Sequence, residues 1–294
     1  MRTNLALIKF ASRQVARRGG HLRSISGTIA IACAIAAPVL AQDDNRENSL
    51  LEFFAGQGCA IGPATRAAAI SAGYNMHEID LLSTKSRLDS NTVLTGEWLV
   101  LPPSMCKIKL PEVSTQLTMS DPEVIAAISL PDAYVLDGYF GCFLTSPAIF
   151  YSLQETRNWD EDTANIEVLR FISASLISGD LAFYPEDPLD TPPRFIVTSG
   201  DCANKTPLLP VLEREHQLLV KHFDAYIRAA TVHIVCEQGA SISFLGLDVP
   251  DIPIVSKNPW LGLEYQIITV GAGWFDGMSM PNRGTPRPPL CHYE

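Results

Sequence analysis

Four residues in one short stretch carry the side chains from which active sites are most often built: Glu213, Glu215, His216 and His222. Carboxylates and imidazoles exchange protons near neutral pH and ligate metals. A helical zinc site needs its two histidines at i and i+4, so that both project to one side. His216 and His222 are spaced too widely for that and point to different faces of a helix. Glu215 and His222 do share a face, two turns apart, which is too long a reach for joint ligation. His216 falls on an apolar stripe and reads as a hydrogen-bonded core histidine. No metal site is expected. Glu213, Glu215 and His222 are the catalytic candidates, should this segment carry a hydrolytic site.

Other signatures fall short in definable ways. A serine nucleophile elbow needs G-x-S-x-G, and Gly277-Met278-Ser279-Met280-Pro281 lacks the second glycine. Gly56-Gln57-Gly58 with Gly62 has the glycines of a phosphate loop, but no Lys-Ser/Thr follows and no strand precedes. Asp160-Glu161-Asp162 lacks the alternating ligand spacing of a calcium loop. It suits a helix start, where acids complement the dipole. No cofactor is expected.

Six cysteines frame the chain after its start: Cys59, Cys106, Cys142, Cys202, Cys236 and Cys291. They read as paired. The start explains why. Residues 2–23 carry six Lys and Arg and no acid, an uncharged Ala/Ile-rich run follows, and it ends Val39-Leu40-Ala41. That is the order of a secretory leader with its cleavage site, so residues 1–41 are expected to be cleaved and the protein to be periplasmic or secreted. Export also permits disulfides. The apolar run is too weak for a membrane span, and no stable span is expected after cleavage. The whole chain has 22 Lys and Arg against 32 Asp and Glu. Without the leader the count is 16 against 32, a net charge of −16. Such a chain is a poor ligand for nucleic acid, which is gripped through cationic contacts to phosphate.

The cysteines also suggest an organisation. Gly58-Cys59-Ala60-Ile61-Gly62-Pro63-Ala64 is echoed by Gly141-Cys142-Phe143-Leu144-Thr145-Ser146-Pro147-Ala148. Each is followed by helical sequence, then an extended apolar run (Trp98–Leu101; Phe195–Val197), then another cysteine. Six cysteines allow 15 pairings, among which sequence alone does not choose; the echo favours the nearest-neighbour set Cys59–Cys106, Cys142–Cys202 and Cys236–Cys291. Three units are expected: 42–110, helical and closed by a strand; 111–205, helical; and 206–294, a long helix with β-hairpin, strands and a Pro-rich tail. The class is α+β, mainly helical in its N-terminal half and β-rich towards the C-terminus.

Particular elements follow from local signals. Residues 42–48 read as frayed, Leu50–Ala55 as helix, and Pro63–Gly73 as helix with proline at its first turn. Met76–Thr84 reads as helix and Glu97–Leu101 as strand. Ser120-Asp121-Pro122-Glu123 reads as a capping box, as does Asn158 with Glu161. Thr206 to Ala230 carries Leu212, His216, Leu219, Phe223, Tyr226 and Ala230 on one stripe. Thr231–Val235 and Ser241–Leu247 read as a hairpin, and Tyr265–Val270 as a strand.

Two stretches resemble known families. Residues 52–63, around Gly58-Cys59-Ala60-Ile61-Gly62-Pro63, look like the Cys-x-x-Cys-Pro turn of exported thioredoxin-like proteins. Gly62 stands where the second cysteine would be, and dithiol exchange needs both sulfurs. Residues 60–103 are similar in layout to a LysM module: helix, Gly73 turn, helix, then Val93-Leu94-Thr95-Gly96-Glu97-Trp98-Leu99-Val100-Leu101-Pro102. That resemblance implies a βααβ fold and binding of N-acetylglucosamine polymers such as peptidoglycan. The opening strand with its Gly-Asp-Thr turn is not legible here. The expectation is therefore a non-catalytic envelope protein in contact with cell-wall glycan or an envelope protein. Its rival is an exported hydrolase built around helix 206–230.

Overall fold

A computed structural model of the chain describes residues 38–184, 195–230, 234–237, 260–282 and 284–294. Gln42–Glu294 form one compact unit. The architecture is α+β, with helices around small antiparallel sheets. The first helix, α1, runs Pro38–Gly56, so the polar stretch 42–48 is helical rather than frayed. It buries Leu50 and Phe54.

Beyond α1 the chain makes two units of the same topology. In the first, β1 (Ala60–Ile61) leads to α2 (Pro63–Ser71) and α3 (Met76–Ser86), then to the hairpin β2 (Val93–Thr95) and β3 (Trp98–Val100). In the second, β4 (Phe143–Leu144) leads to α5 (Ser146–Arg157) and α6 (Glu161–Ser178), then to β5 (Leu181–Phe183) and β6 (Phe195–Val197). The last strand is central in both sheets, with order β1-β3-β2 and β4-β6-β5. The register also matches. The Leu101 amide donates to Cys59 O, and the Val197 amide donates to Cys142 O, each at 2.8 Å. Each of those strand ends is followed within a short turn by the partner cysteine, giving Cys59–Cys106 and Cys142–Cys202. The echo of Gly-Cys in the sequence thus has a counterpart in the backbone: Gly58 and Gly141 both take positive φ, 79° and 124°. Glycine adopts that region without a Cβ penalty.

β1 is the opening strand that no signal in the sequence marked. Two residues are too few to show alternation. The turn after it is held by Thr65. Its hydroxyl accepts from the Gly62 amide at 2.9 Å and donates to Ala60 O at 2.8 Å.

Between the units lies α4 (Pro122–Ala126). Its N-cap is Asp121, not Ser120, and the expected capping box does not form. The Glu123 carboxylate instead takes Arg157 from α5 at 3.0 and 2.9 Å, and Asp121 takes the same guanidinium at 2.8 Å. Those bonds hold the Glu123 carboxyl down at about 2. Likewise Asp160, not Asn158, caps α6, accepting from the Thr163 amide at 2.7 Å. Asn158 ends α5 in the left-handed region.

The short α7 (Gly200–Ala203) is followed by α8 (Leu209–Ala230), the long amphipathic helix, which begins slightly later than Thr206. The expected hairpin falls mainly on residues 231–233 and 238–247, outside the described residues. Tyr265–Val270 is not a strand. It belongs to helix α9 (Leu261–Gly271). Its β-branched run favours a strand locally, but burial among helices decides the matter. Ser173 of α6 donates to Ile267 O at 2.7 Å. A Cβ at Gly271 would stand 2.0 Å from that hydroxyl, so the two helices cross where only glycine fits.

The chain closes with a hairpin, β7 (Phe275–Asp276) and β8 (Thr285–Pro286), and the third bridge, Cys236–Cys291. The tail then lies on the first unit. Pro289 covers Gly58, and Tyr293 shares mutual hydrogen bonds with Thr95. Arg287 is buried, its guanidinium between the Trp98 and Trp274 rings at 5.5 and 5.6 Å. It donates to Gln57 O at 3.2 Å and to Gln57 Oε1 at 3.1 Å. Among the described residues, no helix is long and apolar enough to cross a membrane.

Candidate functional site

A concavity of about 450 Å³ lies where the end of α6, strand β5, helix α8 and the start of α9 meet. That volume is in the range of small-molecule sites. Each wall has a local cause. Gly179 ends α6 in the left-handed region at φ 79°, which turns the chain sharply into β5. Phe183 and Tyr184 come from that strand and its end, and Trp260 from the N-cap of α9. Helix α8 presents one face, with Leu209, Leu212, Glu213, His216 and Gln217 at helical spacing and Glu215 at its flank. The His216 ring lies over Gly179, 3.4 Å from where a Cβ there would stand. Any side chain at 179 would press on the imidazole.

Tyr265 sets the distance between α8 and α9. Its buried phenol donates to Leu219 O at 2.9 Å, and its ring packs on Phe223 and Tyr226. Burial, with the neighbouring Glu264 adding to it, pushes that phenol far above its usual value. The next residue back, Glu264, is thereby placed in the cavity wall opposite α8.

Three acids line the cavity: Glu213, Glu215 and Glu264. No lysine or arginine does so among the described residues. Glu213 is exposed at the rim, while Glu215 and Glu264 are partly buried. Burial raises the Glu215 carboxyl, against a lowering pull from Arg214. Glu264 is raised from 4.5 to about 8, first by burial and then by the like charge of Glu215. Its place in the first turn of α9 favours the anion by at most about 2 kcal/mol, and burial outweighs it. Burial also lowers His216. The arrangement holds a carboxyl that can be a proton donor near neutrality beside a second acid and a neutral imidazole. Perturbed groups gathered in a concavity mark functional sites more often than chance.

Of the residues singled out from the sequence, Glu213 and Glu215 line this cavity and His222 does not. His222 is half-buried elsewhere on α8. His216, read as a core residue, lines the cavity instead. Glu264 went unnoticed, because it belongs to a different helix at the edge of a segment read as a strand. Only the packing of α9 against α8 brings it in. Among the described residues, no three His, Cys, Asp or Glu side chains gather as a metal site would require. Cys59 is buried and bonded to Cys106, so the thioredoxin-like turn has no free sulfur to exchange.

No protein-family model matches the chain, and neither a curated protein nor a solved structure does.

Proposed function

We propose that this chain is an exported, disulfide-stabilised protein of the cell envelope with a binding role, in contact with cell-wall glycan. One observation carries the binding role: a cavity of about 450 Å³ with aromatic walls and polar acceptors. Aromatic faces cover the apolar face of a sugar, and carboxyl groups take its hydroxyls; convergent polar groups are what fix a ligand's orientation in such a site. The β-α-α-β-β layout of the first unit, which keeps the LysM-like order, supports the glycan part. The three bridges suit an oxidising compartment. Sedimentation of the oxidised protein with purified peptidoglycan tests this reading. Co-sedimentation above that of an unrelated acidic protein is expected, and its absence overturns the glycan contact.

The acid pair Glu215 and Glu264 favours a second reading, an exported hydrolase. A carboxylic acid held protonated near pH 7 beside a second carboxyl is the equipment of acid–base hydrolysis. Ester, peptide and glycoside substrates should then be turned over by the protein and not by Glu264→Gln. Silence across that panel sinks the hydrolase.

A further inference from the structure

The lining of the cavity says more about its ligand than its size does. Three carboxyl groups face it from two helices; no lysine or arginine among the described residues lines it, and the exposed Arg214 acts on Glu215 alone of the three. Other acids buried among the described residues have cationic partners. Glu123 and Asp121 have Arg157, Glu167 has Arg170, and Asp224 has Arg228. Glu264 stands apart: partly buried between α8 and α9, its carboxyl has no hydrogen bond or ion pair among the described residues. Trp260, Tyr184 and Phe183 line the same cavity. Aromatic faces attract cations through their quadrupoles, more strongly once water is excluded.

We propose that the cavity binds an organic ammonium group, clamped between the carboxylates of Glu215 and Glu264 and walled by Trp260, Tyr184 and Phe183. In the envelope this is the amine of an amino sugar or of a small free amine. The inference rests on the binding role only in sharing its cavity. It explains why an acidic chain leaves a partly buried carboxyl in the cavity wall without a partner: the counter-ion arrives with the ligand. A partly desolvated carboxyl without a partner otherwise only destabilises the fold.

The charge must form for the clamp to close. The titratable groups that line the cavity with Glu264 are Glu213, Glu215 and His216 on α8 and Tyr184 across it, with Tyr265 beside it on α9. Arg214 is exposed outside the lining and acts on Glu215. Binding of a fixed cation therefore drives a proton off Glu264, and affinity rises as pH rises towards about 8.

Calorimetric titration of the full chain, produced with export so that its bridges form, tests this. Three probes separate the sources: glucosamine, N-acetylglucosamine and tetramethylammonium. Glucosamine and tetramethylammonium should bind, and N-acetylglucosamine, the same sugar with a neutral amide, should bind roughly tenfold more weakly or worse. Tetramethylammonium has a charge independent of pH, and its affinity should climb from pH 6 to pH 8. Glu264→Gln and Glu215→Gln should each weaken both cations by roughly tenfold or more, while His222→Ala leaves them unchanged. Near-ultraviolet circular dichroism confirms that each variant is folded. Equal binding of the two sugars, silence towards both cations, or full binding by folded Glu264→Gln overturns the inference. If the cations fail while peptidoglycan still co-sediments, the ammonium clamp falls and the glycan contact stands. If peptidoglycan fails while the cations bind, the reverse holds.

Discussion

At the scale of single residues, Glu264 and Arg287 are a contrasting pair. Both are ionisable groups taken largely out of water with no ion pair among the described residues. Arg287 resolves the cost with carbonyls and two tryptophan faces, and burial lowers it only to about 10, so it stays charged. Glu264 has neither and is raised to about 8. The two make different predictions. A carboxyl protonated in the fold and ionised in the unfolded chain contributes stability that is complete below 4.5 and lost as pH rises to about 8. The upper bound on that slope is about 1.4 kcal/mol per pH unit. Denaturant midpoints across pH 4.5 to 8 should fall for the native chain and fall less for Glu264→Gln. For Arg287→Leu, the Gln57 acceptors lose their donor and the tryptophans their filler. A loss of about 3 kcal/mol is expected. Lys at 287 should not restore it, because an ammonium lacks the planar fork. Chemical denaturation of both variants checks this.

At the scale of elements, several were legible because the deciding signal is local. Proline at the start of α2, the Gly179 stop of α6 and the long stripe of α8 each act within a turn or two. Asp121 and Asp160 show where local reading slips: several polar residues compete for one cap. Helix α9 shows the larger limit. Its Ile267-Ile268-Thr269-Val270 run favours a strand, and the contacts that override it come from Ser173 and Leu169 on α6. Gly271→Ala puts a methyl against the Ser173 hydroxyl and should cost about 1–3 kcal/mol as overpacking. It should also shift α9, and with it Glu264, so the pH slope of stability should change too. Thermal melts at two pH values measure both effects.

At the scale of the whole molecule, three bridges close separations of 47, 60 and 55 residues. Each contributes roughly 2–4 kcal/mol, chiefly by restricting the unfolded chain. Non-reducing peptide mapping should recover three separate pairs and no crossed ones. Removing the second bridge with Cys142→Ala and Cys202→Ala should lower the melting temperature. It should also loosen the cavity, because β5 hangs on β6 next to that bridge. The units are not independent in space. Arg287, Pro289 and Tyr293 of the tail pack against Gln57, Gly58 and Thr95 of the first unit. Reduction of Cys236–Cys291 is thus expected to expose Trp98 and Trp274 to quenchers, which tryptophan fluorescence reads directly.

What the amino-acid order determined alone was the helical framework and the class, while for the cysteines it favoured one of fifteen pairings, which the folded chain then decided. Those follow from periodicity and from Gly-Cys and strand-Cys contexts that lie close along the chain. Glu213 and Glu215 were visible as acids on the long helix. The partner that makes them a site was not. Glu264 acquires its character from the loss of water and from a like charge on another helix, and neither has a signature in spacing. The tertiary structure alone decided which acids meet, because desolvation and repulsion depend on distance through space.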